Sequence, residues 1–172
     1  MKNPITPIDR EYQLTEDAYI VSKTDPKGRI TYANEIFMEI AKYDEHELLG
    51  VQHNLIRHPD MPRAAFKLLW DTIATGQEFF AYVKNMAKDG SYYWVFANVT
   101  ADLDDQGRII GYHSVRRKPR ADAIQRVIPL YREMLAIEKR GGPNAGLEAS
   151  VACLLNVLKE KKVSYEKFIL AI

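Results

Sequence analysis

Three consecutive stretches in the second half of the chain are typical of β-strands and constrain the fold more than any other feature. Residues 79–85, 92–100 and 108–116 are rich in aromatic and β-branched side chains, which favour the pleated backbone of a sheet. Turns that contain glycine, at residues 88–91 and 104–107, separate the three stretches. Because turns of this kind join antiparallel strands, the pattern predicts a three-stranded meander.

The first half of the chain adds two strands and a set of short helices. Residues 18–23 and 29–33 read as strands around the turn Asp25–Gly28, which has proline at its second position and glycine at its fourth. Apolar residues at helical spacing follow, after the capping residues Asn34 and Asp44. The predicted order is therefore two strands, a helical crossover and three strands.

The segment His53–Pro62 holds two histidines, an arginine, an aspartate and two prolines in ten residues. The prolines lack an N–H group and restrict the residue before them, so the segment is predicted to be a turn that leads into a helix. Asp60 is placed to cap that helix and Pro62 to open it. Arg57, His58 and the first helical amides would then suit an anion. A local Arg57–Asp60 ion pair with a hydrogen-bonded histidine is the alternative that the residues leave open.

Beyond Pro119 the chain is predicted to be helical. Residues 121–140 carry apolar side chains at helical spacing, with a kink expected at Pro129. A glycine-rich linker at residues 141–146 leads to the last helical segment. We therefore predict four regions, which are an N-terminal cap (1–17), a sheet-based domain (18–118), a connecting helix (119–140) and a C-terminal helical segment (147–172).

Composition excludes several classes of function. The formal net charge of +1 gives no field that would hold nucleic acid, and no apolar run reaches the length of a membrane span. Cys153 is the single cysteine, which fits a reducing, cytoplasmic compartment. His46, His53 and His113 show no ligand pattern of their own, and no metal site is predicted. Without a phosphate-binding glycine-rich loop or a nucleophile motif, the sequence predicts no enzyme.

The order of elements and two local motifs resemble the PAS domain family. The motifs are the pair Ala33–Asn34 at the start of the first crossover helix, after a turn ending in Gly28, and the hairpin residues 90–94, which match the Gly-x-x-x-Trp pattern. The resemblance covers residues 18–117. It implies an α+β PAS fold, with a five-stranded antiparallel sheet and a helical crossover on one face, here extended by C-terminal helices.

Within that family, the chain is most similar to the bacterial aerotaxis and energy-taxis receptors. The thirteen residues 50–62 are the most specific shared segment, and shorter ones include residues 83–85 and 93–95. The resemblance implies non-covalent FAD and a readout of the flavin's redox state. It also implies a set of cofactor-binding residues, which are Asn34, His53, Arg57, His58, Asp60, Phe79, Asn85 and Trp94.

Some of these assignments leave alternatives open. Phe79 stands where the best-known members carry a flavin-contacting tryptophan, so an aromatic ring would still be available for stacking, but the indole N–H donor would be absent. The alternating residues of the last two strands fit either a cavity wall or ordinary sheet core. They are Tyr92, Trp94, Phe96, Tyr112 and Ser114.

Three other functions known for PAS domains compete with flavin redox sensing. A photosensor of the light-oxygen-voltage type needs a cysteine on the short helix after Asn54, where Leu55 and Ile56 stand. A PAS module that binds no ligand, or one that binds haem through a histidine, is the alternative and would act in protein–protein interaction.

The resemblance also implies a partner. No transmembrane pair and no methyl-accepting coiled coil is found in the 172 residues, so we expect the stand-alone sensor of a bipartite system. It would signal in trans to a membrane-bound, chemoreceptor-like transducer, remaining cytoplasmic or peripheral to the inner membrane through that partner. A homodimer is possible. The apolar stripes of residues 121–140 and 147–172 would either pack on the sensor or dock the transducer.

Overall fold

Five strands form one antiparallel sheet in the order β2-β1-β5-β4-β3. The computed structural model describes residues 5–172, so residues 1–4 of the predicted N-terminal cap lie outside it. The strands are β1 (Tyr19–Thr24), β2 (Ile30–Ala33), β3 (Phe79–Met86), β4 (Tyr92–Leu103) and β5 (Ile109–Arg117). The predicted α+β fold with a five-stranded antiparallel sheet is confirmed.

The turn between β1 and β2 follows from its sequence. The backbone amides of Lys27 and Arg29 donate to Asp25 Oδ1 at 2.8 and 2.9 Å, as is usual where an aspartate opens a turn. Gly28 adopts a φ of +79°, which strains any residue with a side chain. This turn brings β2 back beside β1.

The crossover consists of short helices that cover one face of the sheet. They are α1 (Glu35–Ala41), α2 (Glu45–Leu48), a 3-10 turn (His53–Ile56) and α3 (Arg63–Ile73). Asn34 caps α1, accepting the Phe37 amide at 3.1 Å, as predicted. At α2 the Asp44 amide donates to Glu47 at 3.0 Å, which is half of a capping box. We call the covered face of the sheet the inner face.

The three C-terminal helices are α4 (Ala121–Gly141), α5 (Ala145–Lys161) and α6 (Tyr165–Ala171). Helix α4 continues as one helix past Pro129, and its buried stripe includes Val127, Tyr131 and Met134. The predicted linker, residues 141–146, is a short turn whose two ends belong to α4 and α5. A Cβ on Gly141 would lie only 2.5 Å from the Cα of Gly146, so glycine is what permits this close approach.

The free edge of β3 is covered by other parts of the chain. Arg57 forms an antiparallel bridge to Asn85, and the Tyr131 hydroxyl donates to the Tyr82 carbonyl at 2.8 Å. Helix α4 therefore packs on the sheet domain, which is the first of the two alternatives predicted for it. Covering an edge in this way satisfies backbone groups that would otherwise be open to pairing. Along residues 5–172, no helix combines the length and apolar character that a membrane span requires.

Candidate functional site

A cavity of about 470 Å³ lies between the crossover and the inner face of the sheet. Its volume is within the range of roughly 300–1,000 Å³ that is typical of ligand pockets. The strands contribute Ser22 and Thr24 of β1, Val83 and Asn85 of β3, Ala97 and Val99 of β4, and Tyr112, Ser114 and Arg116 of β5. The crossover supplies the opposite wall.

Apolar and aromatic side chains make up most of that opposite wall. They include Ile56, Phe66, Leu69, Trp70 and Ile73. The Trp70 ring meets the Tyr112 ring edge to face, with centroids 5.5 Å apart, and Trp70 is 38% exposed. The exposed residues Lys27, Gln52 and Lys67 also line the cavity and mark its mouth. A flat apolar ligand with a polar end suits such a shape.

Three polar residues meet on one side of the cavity, and we call Ser22, His53 and Arg116 the Arg116 cluster. Arg116 Nη2 donates to Ser22 Oγ at 2.6 Å, and its Nη1 lies 3.5 Å from His53 Nε2. His53 Nε2 is also 3.3 Å from Ser22 Oγ. The Arg116 guanidinium lies over the Phe37 ring at 4.4 Å. Strand register places Ser22, Ser114 and Arg116 on the same face because side chains alternate along a strand.

Burial governs the charges in this cluster. It lowers the pKa of His53 to about 3, with a further contribution from Arg116, so the imidazole is neutral at physiological pH. It lowers the pKa of Arg116 to about 10, which leaves the guanidinium charged. The cluster therefore carries one positive charge.

Arg57 supplies a second cation to the cavity. Its Nη2 donates to the Met61 carbonyl at 3.0 Å, and its guanidinium lies 4.5 Å from the centre of the Phe66 ring. Burial lowers its pKa. Asn85, which is 4% exposed, lines the cavity beside Arg57. The carboxamide can donate and accept hydrogen bonds, which suits the edge of a heterocycle.

The predicted cap of α3 is wrong. Pro62 occupies the N-cap, and Asp60 instead pairs with Lys84 at 2.8 Å, because the strand lysine is within its reach. The amides of Arg63 and Ala64 donate to the carboxylate of Glu138 on α4, each at 3.0 Å. The helix N-terminus holds an anion, but that anion is the Glu138 side chain of the same chain, and neither Arg57 nor His58 donates a hydrogen bond to it.

His58 lies outside the cavity. It is 4% exposed, its Nδ1 accepts the Asp60 amide at 3.0 Å, and its ring packs edge to face on Tyr92 at 5.9 Å. Burial, with a contribution from Lys84, lowers its pKa to about 4. Arg57 and His58 are adjacent in the loop but lie on opposite sides of β3. Arg57 faces the cavity, and His58 faces Tyr92.

Three further predicted site residues do not line the cavity. Asn34 uses its side chain locally, accepting from Val21 and Phe37 and donating to Tyr19. Phe79 stacks on Tyr165 of α6 with centroids 4.8 Å apart. Trp94 is in register with Lys84 and lies on the face of the sheet opposite the cavity. The structure therefore brings His53, Arg57 and Asn85 together and leaves Asn34, His58, Asp60, Phe79 and Trp94 outside.

Sequence reasoning did not single out Ser22, Trp70 or Arg116. For Arg116, the alternation of side chains along the strand was a usable signal. Tyr112 and Ser114 were candidates for a cavity wall, and Arg116 is the next residue on the same face. Tyr112 and Ser114 do line the cavity. Tyr92, Trp94 and Phe96 occupy the opposite face, since β4 contributes Ala97 and Val99 to the cavity.

Two curated proteins are similar to this chain over more than half of its length. The aerotaxis receptor of Escherichia coli (strain K12) is 41% identical over 123 residues, which cover 72% of this chain and 24% of the receptor. The nitrogen fixation regulatory protein of Klebsiella pneumoniae is 30% identical over 107 residues, covering 62% of this chain and 22% of that protein. The chain thus spans about a quarter of the length of these curated relatives.

Solved structures agree with the fold. A light-oxygen-voltage domain studied with a flavin analogue superposes with a TM-score of 0.57 at 23% identity, covering 64% of this chain and 83% of that one. The light-state light-oxygen-voltage domain of aureochrome 1 gives 0.55 at 21% identity, with coverages of 73% and 92%. The family model described as PAS fold matches residues 30–116, which is half of the chain. The chain therefore belongs to the PAS fold family.

Proposed function

We propose that this chain is a redox sensor that holds FAD non-covalently in its cavity and reports the flavin's redox state to a chemotaxis transducer. The observation that carries the proposal is the cavity, whose apolar and aromatic walls stand beside Arg57, Asn85 and the Arg116 cluster. A flavin needs a flat apolar slot with a few polar groups at its edge. The cavity combines these features.

When bound, FAD would supply the exchange of electrons, which alters charge and hydrogen bonding at its ring. The residues of the chain then bind and orient it. Trp70 and Tyr112 offer aromatic surface, Asn85 offers a donor and an acceptor, and Arg57 offers a fixed cation on a loop held by Met61. Tests of cofactor binding should therefore begin with these residues.

Relatives support a flavin. The E. coli relative is named an aerotaxis receptor, and the superposed light-oxygen-voltage structure carries the name of a flavin analogue. FAD rather than FMN is our proposal from the aerotaxis resemblance. The exposed Lys27 and Lys67 at the mouth fit a phosphate-bearing tail.

The proposed output runs from the sheet to the C-terminal helices. Arg116 is one residue from the end of β5, and α4 begins at Ala121. A change of charge in the cavity would thus reach α4 through a short connection. We propose that the transducer is a separate, membrane-bound protein and that the chain acts in the cytoplasm. The chain could also pair with a second copy of itself, and light scattering of the purified protein measures this.

The absorption spectrum of the purified protein tests the cofactor. We expect paired bands in the near-ultraviolet and blue that bleach with dithionite and return in air. Chromatography of the heat-released cofactor should identify FAD, and release of FMN would contradict that assignment. Blue light should form no cysteine adduct, because Cys153 lies on α5 and not in the cavity wall.

Other outcomes would change the proposal. A sharp Soret band would indicate haem, although His53, the histidine of the cavity wall, has its Nε2 beside Ser22 and Arg116 rather than open for a metal. A colourless protein that also fails to take up added FAD would contradict the redox proposal. It would leave a PAS module for protein–protein interaction.

A further inference from the structure

Arg116 is a buried charge that has no counter-ion among residues 5–172. It is 2% exposed, and its contacts within residues 5–172 are the Ser22 hydroxyl, the His53 imidazole and the Phe37 ring, none of which is a carboxylate. Its Nε finds no hydrogen-bond acceptor among the residues that the structure describes. Buried charges are ordinarily paired, so this arrangement requires an explanation.

The surroundings of Arg116 remain neutral. His53 is neutral because burial lowers its pKa, and burial raises the pKa of the nearby Tyr93 hydroxyl. No aspartate or glutamate is among the residues that line the cavity. Arg57 differs, because Glu138 opposes the effect of burial on its pKa. The positive charge of Arg116 therefore faces a largely apolar cavity with no carboxylate among its lining residues in the described part of the chain, and electrostatic interactions there are stronger than in water.

We infer that the Arg116 cluster is a built site for negative charge and that it stabilises the reduced, anionic state of the bound flavin. The inference rests on the proposed function. Each electron that a reductant delivers adds one negative charge to the flavin unless a proton follows it. A fixed cation beside an apolar cavity favours that added charge over the neutral oxidised ring. Arg116 thereby raises the midpoint potential of the bound flavin.

The test compares Arg116→Gln with the wild-type protein in FAD affinity and in spectroelectrochemical midpoint potential. We expect affinity for oxidised FAD to change less than threefold and affinity for the reduced form to fall about tenfold. A tenfold loss specific to the reduced form lowers a one-electron midpoint by about 59 mV. Arg116→Lys, which keeps the charge, should restore most of the midpoint potential.

Two further measurements separate this role from a structural one. Without FAD, Arg116→Gln should be at least as stable as the wild-type protein, because the unpaired charge is gone. Arg117→Gln is the matched control, since Arg117 is exposed and lies over Phe96 on the opposite face. It should leave the midpoint unchanged. If Arg116→Gln fails to fold, Arg116→Met gives the same comparison with a side chain that packs on Phe37.

The outcomes are distinct. Equal losses of affinity for oxidised and reduced FAD, together with a destabilised ligand-free protein, would overturn this inference and assign Arg116 a structural role. An unchanged midpoint in Arg116→Gln would overturn it as well, while the proposed function would stand. A wild-type protein that takes up no FAD would overturn both.

Discussion

At the scale of single residues, Arg57 and His58 are neighbours in sequence but lie on opposite sides of β3. Arg57 faces the cavity, whereas His58 packs on Tyr92 and accepts the Asp60 amide. The resemblance to the aerotaxis receptors implies that both are cofactor-binding residues, so that replacing either would lower FAD occupancy. The structure separates the two positions, and the two variants should therefore behave differently.

We expect Arg57→Ala to weaken FAD binding about tenfold or more, the effect of losing one hydrogen bond to a charged group. His58→Ala should leave affinity within threefold and lower the free energy of unfolding by roughly 1–3 kcal/mol, because it leaves the Asp60 amide unpaired. Fluorescence titration with FAD and urea unfolding measure the two effects. A larger loss of affinity in His58→Ala than in Arg57→Ala would contradict the placement of the cavity.

The buried histidines also predict how stability depends on pH. The pKa values of His53 and His58 fall to about 3 and 4 in the folded protein, against about 6.5 in an unfolded chain. Below pH 6.5 the unfolded state binds protons that the folded state does not. The free energy of unfolding should therefore fall as the pH decreases, with a limiting slope of about 1.4 kcal/mol per pH unit for each histidine.

Urea unfolding of the wild-type protein and of His58→Gln between pH 4.5 and 7 checks this expectation. His58→Gln should lose about half of the slope between pH 6 and 4.5, where His53 continues to contribute. An equal slope in the wild-type protein and His58→Gln would mean that His58 titrates normally.

At the scale of elements, the contact between α3 and α4 depends on one carboxylate. Glu138, 8% exposed, accepts the Arg63 and Ala64 amides and lies 3.4 Å from Arg63 Nε. Glu138→Ala would leave the helix start uncapped and should lower the free energy of unfolding by roughly 2 kcal/mol. Urea unfolding measures this change.

Glu133→Ala is the matched control, because Glu133 is an exposed residue of the same helix. A surface change of this kind should alter stability by less than about 0.5 kcal/mol. Equal effects of the two variants would show that Glu138 contributes no more than a surface carboxylate, and the contact between α3 and α4 would need another explanation.

A helix cap could be predicted from the sequence where the capping residue lies close in sequence to the amide that it bonds. Asn34 caps α1 as expected, by accepting an amide three residues ahead, and Ser164 caps α6 in the same way. The cap of α3 was not predictable, because Glu138 lies 75 residues from Arg63 in sequence. The same holds for the Arg116 cluster, in which Ser22 and Arg116 are 94 residues apart. Such contacts arise from strand pairing and helix packing, which local patterns do not specify.

At the scale of the whole molecule, the C-terminal helices and the sheet domain pack together. Helix α6 contributes Tyr165 to Phe79, α4 contributes Tyr131 to the edge of β3, and Glu138 joins α4 to α3. The cavity and these contacts share α3 and β3 as common elements. A structural change in the cavity would therefore reach α4 through residues that pack against one another.

Hydrogen–deuterium exchange of the FAD-loaded protein, oxidised and then reduced by dithionite under anaerobic conditions, tests the sensor most directly. We predict that reduction changes the exchange of residues 53–62 and of residues 112–124, which join the cavity to α4. The ligand-free protein with dithionite is the control and should show no difference. Identical exchange in both states, with a spectrum showing complete reduction, would contradict redox sensing by this chain.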